Sequence, residues 1–181
     1  MKILLVGAHG TGKSVLAKEI QKRHPSLHLI DGIHRQAQQE GFQINKTNDI
    51  ESQLTTIRRY LNQLNTNQDF VSVSSIIRQT AYAVNNKLPD YILRLLFALC
   101  QLEAQHFADY VFYLPIGFPL VGDGVRAEDI NYQKTIDSEI RKLLDTFYSL
   151  HPDYFIIHGS VEERVKYIEG IIDDFDFQER R

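Results

Sequence analysis

The chain has 181 residues, 43% of them hydrophobic and 24% charged, which is the balance of a soluble globular protein long enough to bury one sizeable core, so a single domain over 1–181 is expected. A formal net charge of −3 excludes a global field that gathers nucleic acid without specificity, while a local basic groove stays open. One cysteine, Cys100, excludes an internal disulfide and reads as buried packing in its apolar setting, and with no leader-like stretch and no bilayer-length apolar run the expectation is a cytoplasmic protein without a membrane partner.

The chain opens on Ile3-Leu4-Leu5-Val6, an apolar run that reads as a short buried strand. Gly7-Ala8-His9-Gly10-Thr11-Gly12-Lys13-Ser14 follows, and Val15 to Ile20 continues as a helix. Strand, glycine-rich turn, Lys-Ser and helix is the setting of a Walker A phosphate loop. Its glycines allow a tight turn whose amides approach an anion, at a helix N-terminus that also favours negative charge. In this reading Gly7, His9, Gly10, Thr11, Gly12, Lys13, Ser14 and Val15 form the nucleotide site. Lys13 reaches the β- and γ-phosphates of ATP and the Ser14 hydroxyl binds Mg²⁺. His9 fills a free position of the loop and reads as a polar filler rather than a catalyst.

The first helix runs from Lys13 towards His24, and Pro25 stops it. Leu27 to Ile30 is a second strand, ending at Asp31. Two readings of Asp31 stand side by side: a carboxylate facing the phosphate-loop cleft from a strand end, or a cap for the Gly32–Glu40 helix. In the first reading it also serves as a metal ligand. Arg35 projects from that helix. Asn48 and Glu51 mark a further helix start, and Ile50, Leu54, Ile57, Leu61 and Leu64 form a stripe expected to be core, or a cover packed on it. The whole of 32–69 is a helical insert on the substrate side.

Phe70 to Val73 is the third strand, and Ile76 to Asn86 a helix carrying Arg78 and Tyr82. The helix from about Pro89 to Phe107 is apolar on more than one face and is expected to be deeply packed. Tyr110 to Leu114 is the fourth strand. The glycine-rich stretch 115–128 carries Asp123 and Arg126 and reads as a lid-like loop. A long helix, Asp129 to Leu150, presents Tyr132, Ile136, Ile140, Leu143 and Phe147 inward, and Tyr154 to Ile157 is the fifth strand. Ser160 and Glu163 make a capping box for the last helix, and the charged tail from Asp173 is expected to fray.

Five short β-runs alternating with helices predict an α/β fold of the three-layer P-loop NTPase type: a five-stranded parallel sheet with helices on both faces, as in nucleoside and nucleotide kinases. The short chain, the helical insert and the loop after the fourth strand lean towards a kinase for a small acceptor. Arg126 would then cover the transferred phosphoryl group while the closed loop excludes water. A guanine-reading Asn-Lys-x-Asp is missing, since Asn45-Lys46-Thr47-Asn48 lacks the acid and follows no strand.

The chain resembles the short P-loop kinases related to the ribosylnicotinamide kinase domain of NadR, a group often labelled AAA family ATPase. The match lies in the phosphate loop, Tyr113-Leu114-Pro115, Asp123-Gly124-Val125-Arg126, Tyr132-Gln133, Ile136-Asp137 and Gly159-Ser160-Val161-Glu162-Glu163-Arg164-Val165. The resemblance implies that Asp123 and Arg126 lie at the phosphate site and that the Gly159-Ser160 turn lies near the base of ATP. It also marks a departure: such kinases end the third strand with an Asp-Arg-Ser-like motif, where this chain has Val73-Ser74-Ser75. Arg35 and Arg78 are the candidates for the lost positive charge on the substrate side, and Asp31 for the lost acid.

The expected activity is ATP- and Mg²⁺-dependent phosphoryl transfer to a nucleoside, nucleotide or similar small hydroxyl compound, with Lys13, Asp31 and Arg126 as the catalytic set and Asp31, Arg35, Arg78 and Asp123 towards the acceptor. Two alternatives remain open. One is a nucleotide-dependent binding module, favoured by the missing strand-three acid. The other is a kinase for a nucleic-acid end or base, which the acidic balance does not favour. The acceptor and the oligomeric state are not legible in the sequence.

Overall fold

The computed structural model describes residues 1–43, 49–64, 68–119, 129–148 and 154–179, excepting the side chains of 174–179. In chain order the elements are β1 (Lys2–Val6), α1 (Lys13–Arg23), β2 (His28–Ile30), α2 (Ile33–Gln39), α3 (Ile50–Leu64), β3 (Phe70–Ser72), α4 (Ile76–Asn85), α5 (Asp90–His106), β4 (Tyr110–Tyr113), α6 (Ile130–Phe147), β5 (Phe155–Ile156) and α7 (Val161–Glu179). The strands form one parallel sheet in the order β2-β3-β1-β4-β5. Among the described residues, no helix is long and apolar enough to cross a membrane.

Side chains alternate across a strand, and β1 uses that alternation to build two cores. Leu4 and Val6 join Ile30, Phe70, Val111 and Tyr113 on the face covered by α2 to α6. Ile3 and Leu5 join Val71, Phe112 and Leu114 on the other face, under Leu16 and Ile20 of α1 and Val165, Ile168 and Ile172 of α7. The strands are apolar on both faces because both faces are covered. The result is the three-layer α/β P-loop NTPase arrangement.

From β1 the chain lays β2 and β3 to one side and β4 and β5 to the other. Ligands in open α/β sheets bind outside the carboxyl ends of the strands, where the order reverses. That edge carries the turn after β1, Asp31 after β2 and Val73-Ser74-Ser75 after β3.

Four expectations need correction. The stripe on α3 is not uniformly core: Leu54 is exposed, Ile50 and Leu61 are half-buried, and Ser52, Gln53 and Thr56 are buried instead. The helix turns this way because its polar groups find partners: Gln53 Nε2 donates to the Gln79 carbonyl at 2.8 Å, Thr56 Oγ1 to Gln53 O at 2.9 Å, and Tyr60 Oη to Glu103 Oε1 at 2.8 Å. Next, α5 is buried along one face only, through Ile92, Leu96, Cys100, Glu103 and Ala104, while Tyr91, Leu95 and Leu102 are exposed. Asn48 lies outside the described residues, and Asp49 caps α3, its Oδ1 accepting Ser52 N–H at 2.8 Å. Finally, α7 continues past Asp173 to Glu179.

Glu103 serves a purpose that its own helix does not reveal. It is fully buried on α5, and its carboxyl accepts the N–H groups of Ile76 at 2.9 Å and Ile77 at 3.2 Å. The open N-terminus of α4 is thus closed from a neighbouring helix, beside its own cap Ser75, whose side chain accepts Arg78 N–H at 3.1 Å. Burial pushes the Glu103 carboxyl up to about 7, against the opposing pull of its hydrogen bonds.

Candidate functional site

The turn after β1 is shaped by backbone freedom at its glycines. Gly7 has φ 156°, and a Cβ there would lie 2.4 Å from the Leu114 carbonyl oxygen, so only glycine lets β1 leave the sheet beside β4. Gly12 has φ 86° and hands the chain to α1 as its N-cap without a side-chain cap. The first amides of α1 are therefore not capped by a side chain there, at the positive end of the helix dipole.

Lys13 folds back over the loop, its Nζ donating to the Ala8 carbonyl and to Thr11 Oγ1 at 3.2 Å. Thr11 Oγ1 in turn donates to Ala8 O at 3.0 Å. His9 is not a filler. It is buried, its Nδ1 lies 3.0 Å from Tyr82 Oη, and its ring sits against Tyr82 and Tyr132. The loop is also held from outside: Gln133 Nε2 on α6 donates to His9 O at 2.6 Å, and Arg164 Nη1 on α7 donates to Thr11 O at 2.9 Å.

One pocket opens on this loop. His9, Gly10, Gly12, Lys13, Ser14 and Val15 line one wall; Asp31, Gly32, Ile33, His34, Arg35, Val73, Ser74 and Arg78 line the other. The sequence-predicted Asp31, Arg35 and Arg78 are therefore brought to the phosphate loop from the end of β2, α2 and α4 respectively. Asp31 settles between its two readings: Gly32, not Asp31, is the N-cap of α2, and no side chain caps that helix. Asp31 Oδ1 instead accepts Ser14 Oγ–H at 3.2 Å and Gly32 N–H at 2.7 Å. A hydroxyl and a carboxylate oxygen at that separation, beside a phosphate loop, are the hard oxygen donors that Mg²⁺ takes, with waters completing its shell. The pair fits the ion.

Other predicted residues lie elsewhere. Gly7 and Thr11 shape the loop from behind and do not line the pocket. Gly159 precedes the capping box of α7, which Ser160 and Glu163 form, with Ser160 N–H and Oγ–H both donating to Glu163 Oε2 at 2.7 and 2.8 Å. They are not among the pocket residues, and their tie to the loop runs through Arg164. Asp123 and Arg126 fall in 120–128, outside the described residues.

Several site residues escape a sequence reading. Arg164 is 2% exposed, has no carboxylate partner among the described residues, and lies over the Phe118 ring, 5.0 Å from its centroid. Burial holds its guanidinium below the ordinary arginine range. Its signal was a charge four residues before Ile168 on an otherwise apolar stripe. Asp137 on α6 accepts Tyr113 Oη–H at 2.8 Å. Burial raises its carboxyl, while Tyr113, Arg141, Lys13 and the Ala8 amide act against that shift. This places a carboxylate beneath the loop, and no spacing in the sequence announced it.

A family model described as AAA domain matches residues 2–164. A comparison with curated proteins gives no match. Among solved structures, deoxyadenosine kinase from M. mycoides with bound dCTP is similar at 16% identity, covering 96% of this chain and 100% of that one, with a TM-score of 0.69. Thymidylate kinase from Candida albicans is similar at 17% identity, covering 96% and 91%, with a TM-score of 0.63. NadR in complex with NR is similar at 14% identity, covering 87% of this chain and 43% of that one, with a TM-score of 0.57. At these identities the likeness is one of fold.

Proposed function

We propose that this chain, which belongs to the AAA domain family, transfers the terminal phosphoryl group of ATP to a small acceptor bearing a hydroxyl, such as a nucleoside or nucleotide. The observation that carries this reading is the meeting of the phosphate loop with Asp31, Arg35 and Arg78 around one pocket, with Ser14 Oγ and Asp31 Oδ1 3.2 Å apart. A loop that only stored a nucleotide would need no second wall of charged side chains.

The chain's own groups divide the work. Loop amides and Lys13 hold the phosphates, and Lys13 leaves its resting bonds to Ala8 O and Thr11 Oγ1 to do so. Ser14 and Asp31 would hold Mg²⁺, which when bound neutralises charge across the β- and γ-phosphates. Asp31 also orients the acceptor hydroxyl and takes its proton, the role left open by Val73-Ser74 after β3. By the resemblance of the sequence, Arg126 is assigned to the transferred group and Asp123 to the phosphate and acceptor side. Catalysis is then mostly positioning and electrostatics.

The test is ATP consumption with Mg²⁺ against a panel of acceptors, with a no-acceptor control. Acceptor-dependent turnover is expected, lost in Lys13→Ala and lowered about 100-fold in Asp31→Asn, the scale of a removed general base. Equal rates for wild type and Lys13→Ala would refute the assignment. Tight ATP binding with no turnover for any acceptor would instead favour a nucleotide-dependent binding module, with Val73-Ser74 after β3 as the reason.

A further inference from the structure

The pocket provides for phosphates, a metal ion and an acceptor, and none of its residues has been given to the base of the donor nucleotide. Phosphates held on the loop amides send the ribose and base out past Gly12 and the first turn of α1. In the proposed reading the wall from α2 and α4 faces the acceptor, so the base leaves on the side of β4, across β1 in the sheet. There the chain runs from β4 through Gly117 to Phe118, whose ring comes close to the last glycine of the loop: a Cβ on Gly12 would lie 3.9 Å from Phe118 Cε2.

Phe118 is tied to the loop through Arg164. The guanidinium lies 5.0 Å from the ring centroid and donates from Nη1 to the Thr11 carbonyl at 2.9 Å. The direction of the ring is thus set against the loop before any ligand arrives. Arg164 is 2% exposed and Phe118 is 44% exposed, so one face of the ring is covered by a buried cation and the other is open. Gly12 and Gly117, both close to the guanidinium, bring no side chain to cover the ring: added Cβ atoms would lie 3.5 and 3.6 Å from Arg164 Nη1 and Nη2. A cation behind one face draws the π-density of the ring towards it, which suits the outer face to a flat, electron-rich partner. A purine base is such a partner.

We infer that Phe118 is the stacking platform for the base of the donor nucleotide, with Arg164 fixing its direction, and that this platform favours a purine. The inference rests on the nucleotide-binding half of the proposed function and is independent of turnover. Stacking on an aromatic side chain contributes about 10- to 100-fold in affinity per base and needs no hydrogen bond to the base edge. A ring that served only to seal Arg164 would act on the loop, and so on every ligand of the loop alike.

The experiment measures binding to the full chain, with Mg²⁺, of non-hydrolysable ATP and CTP analogues and of inorganic tripolyphosphate, which fills the loop but has no base. Phe118→Ala is expected to weaken the ATP analogue about 10- to 100-fold and to leave tripolyphosphate unchanged, with recovery in Phe118→Tyr. Wild type is expected to bind the ATP analogue more tightly than the CTP analogue, and Phe118→Ala to narrow that gap. The chain has no tryptophan, so Phe118→Trp introduces a single indole. Its emission is expected to be quenched by the ATP analogue and not by tripolyphosphate. Equal losses for both ligands in Phe118→Ala would show that the ring only supports Arg164 and the loop. An unchanged affinity for the ATP analogue, or an indole that does not respond to it, would show that the base lies elsewhere. Either result overturns the inference, and equal affinity of wild type for the two nucleotide analogues overturns the purine preference. If wild type binds neither nucleotide nor tripolyphosphate, the nucleotide reading fails and the inference with it. The expected binding pattern without turnover for any acceptor would uphold Phe118 as the platform while rejecting the kinase reading.

Discussion

Replacing Glu103 by glutamine isolates a buried charge that lies outside the pocket but behind one of its walls. The carboxyl ionises at about 7 in the fold against an ordinary 4.5, with burial as the main cause. Between those values the native state holds a proton that the unfolded chain has released, so stability falls as pH rises through the window. Once pH exceeds both, ionising this one group has cost about 3 kcal/mol. Glutamine keeps the shape, its carbonyl accepts the Ile76 and Ile77 amides, and it does not titrate. Urea melts of wild type and Glu103→Gln from about pH 5 to about pH 8 measure the difference. The variant is expected to gain on wild type by about 3 kcal/mol across that range, with nearly all of the gain below about pH 7. Parallel profiles would show that Glu103 ionises in place without penalty, and the argument from burial would fail.

Other outcomes follow from single contacts. Ser75→Ala removes the side-chain cap of α4 and is expected to cost about 1 kcal/mol in denaturant melts, with Glu103 still closing the next two amides. No change would mean that Glu103 alone satisfies the turn. Arg164→Met keeps most of the side-chain volume but removes the bond to Thr11 O. It is expected to weaken binding of an ATP analogue about 10-fold by calorimetry, the scale of one charged hydrogen bond. Undiminished affinity would show that the loop holds its shape unaided. Gly7→Ala is expected to lose about 1–3 kcal/mol through strain at the β1 turn; an unchanged melting profile would contradict the close approach to Leu114 O.

What was legible in the sequence was local. The alternation in β1, the glycines of the loop and the carboxylate at the end of β2 each follow from a few adjacent residues, and these alone fix the three layers and the pocket's near wall. What was illegible depends on partners far along the chain. The orientation of α3 was misread because an apolar stripe was weighed without the bonds that let Gln53 and Thr56 go inside. The packing of α5 was overstated because its apolar residues exceed what one buried face can take. His9 read as filler because Tyr82 lies 73 positions away, and Arg164 was unassigned because Thr11 lies 153 positions away. Asp31 is the instructive middle case: sequence left cap and cleft in balance, and the choice of Gly32 as the cap of α2 decided between them.

The two outside bonds to the loop carry a consequence for its amides. Each backbone carbonyl shares a rigid planar unit with the N–H of the following residue, and in the trans form the two point in opposite directions. Gln133 holds the His9 carbonyl towards α6, and Arg164 holds the Thr11 carbonyl towards α7. The same grips turn the N–H groups of Gly10 and Gly12 away from those helices. Glycine on the far side of each unit offers little resistance to a peptide flip, so the compass direction of these two donors is set by side chains rather than by the loop itself. Selection on Gln133 and Arg164 would then act on the polarity of the loop, although neither residue need ever touch a phosphate.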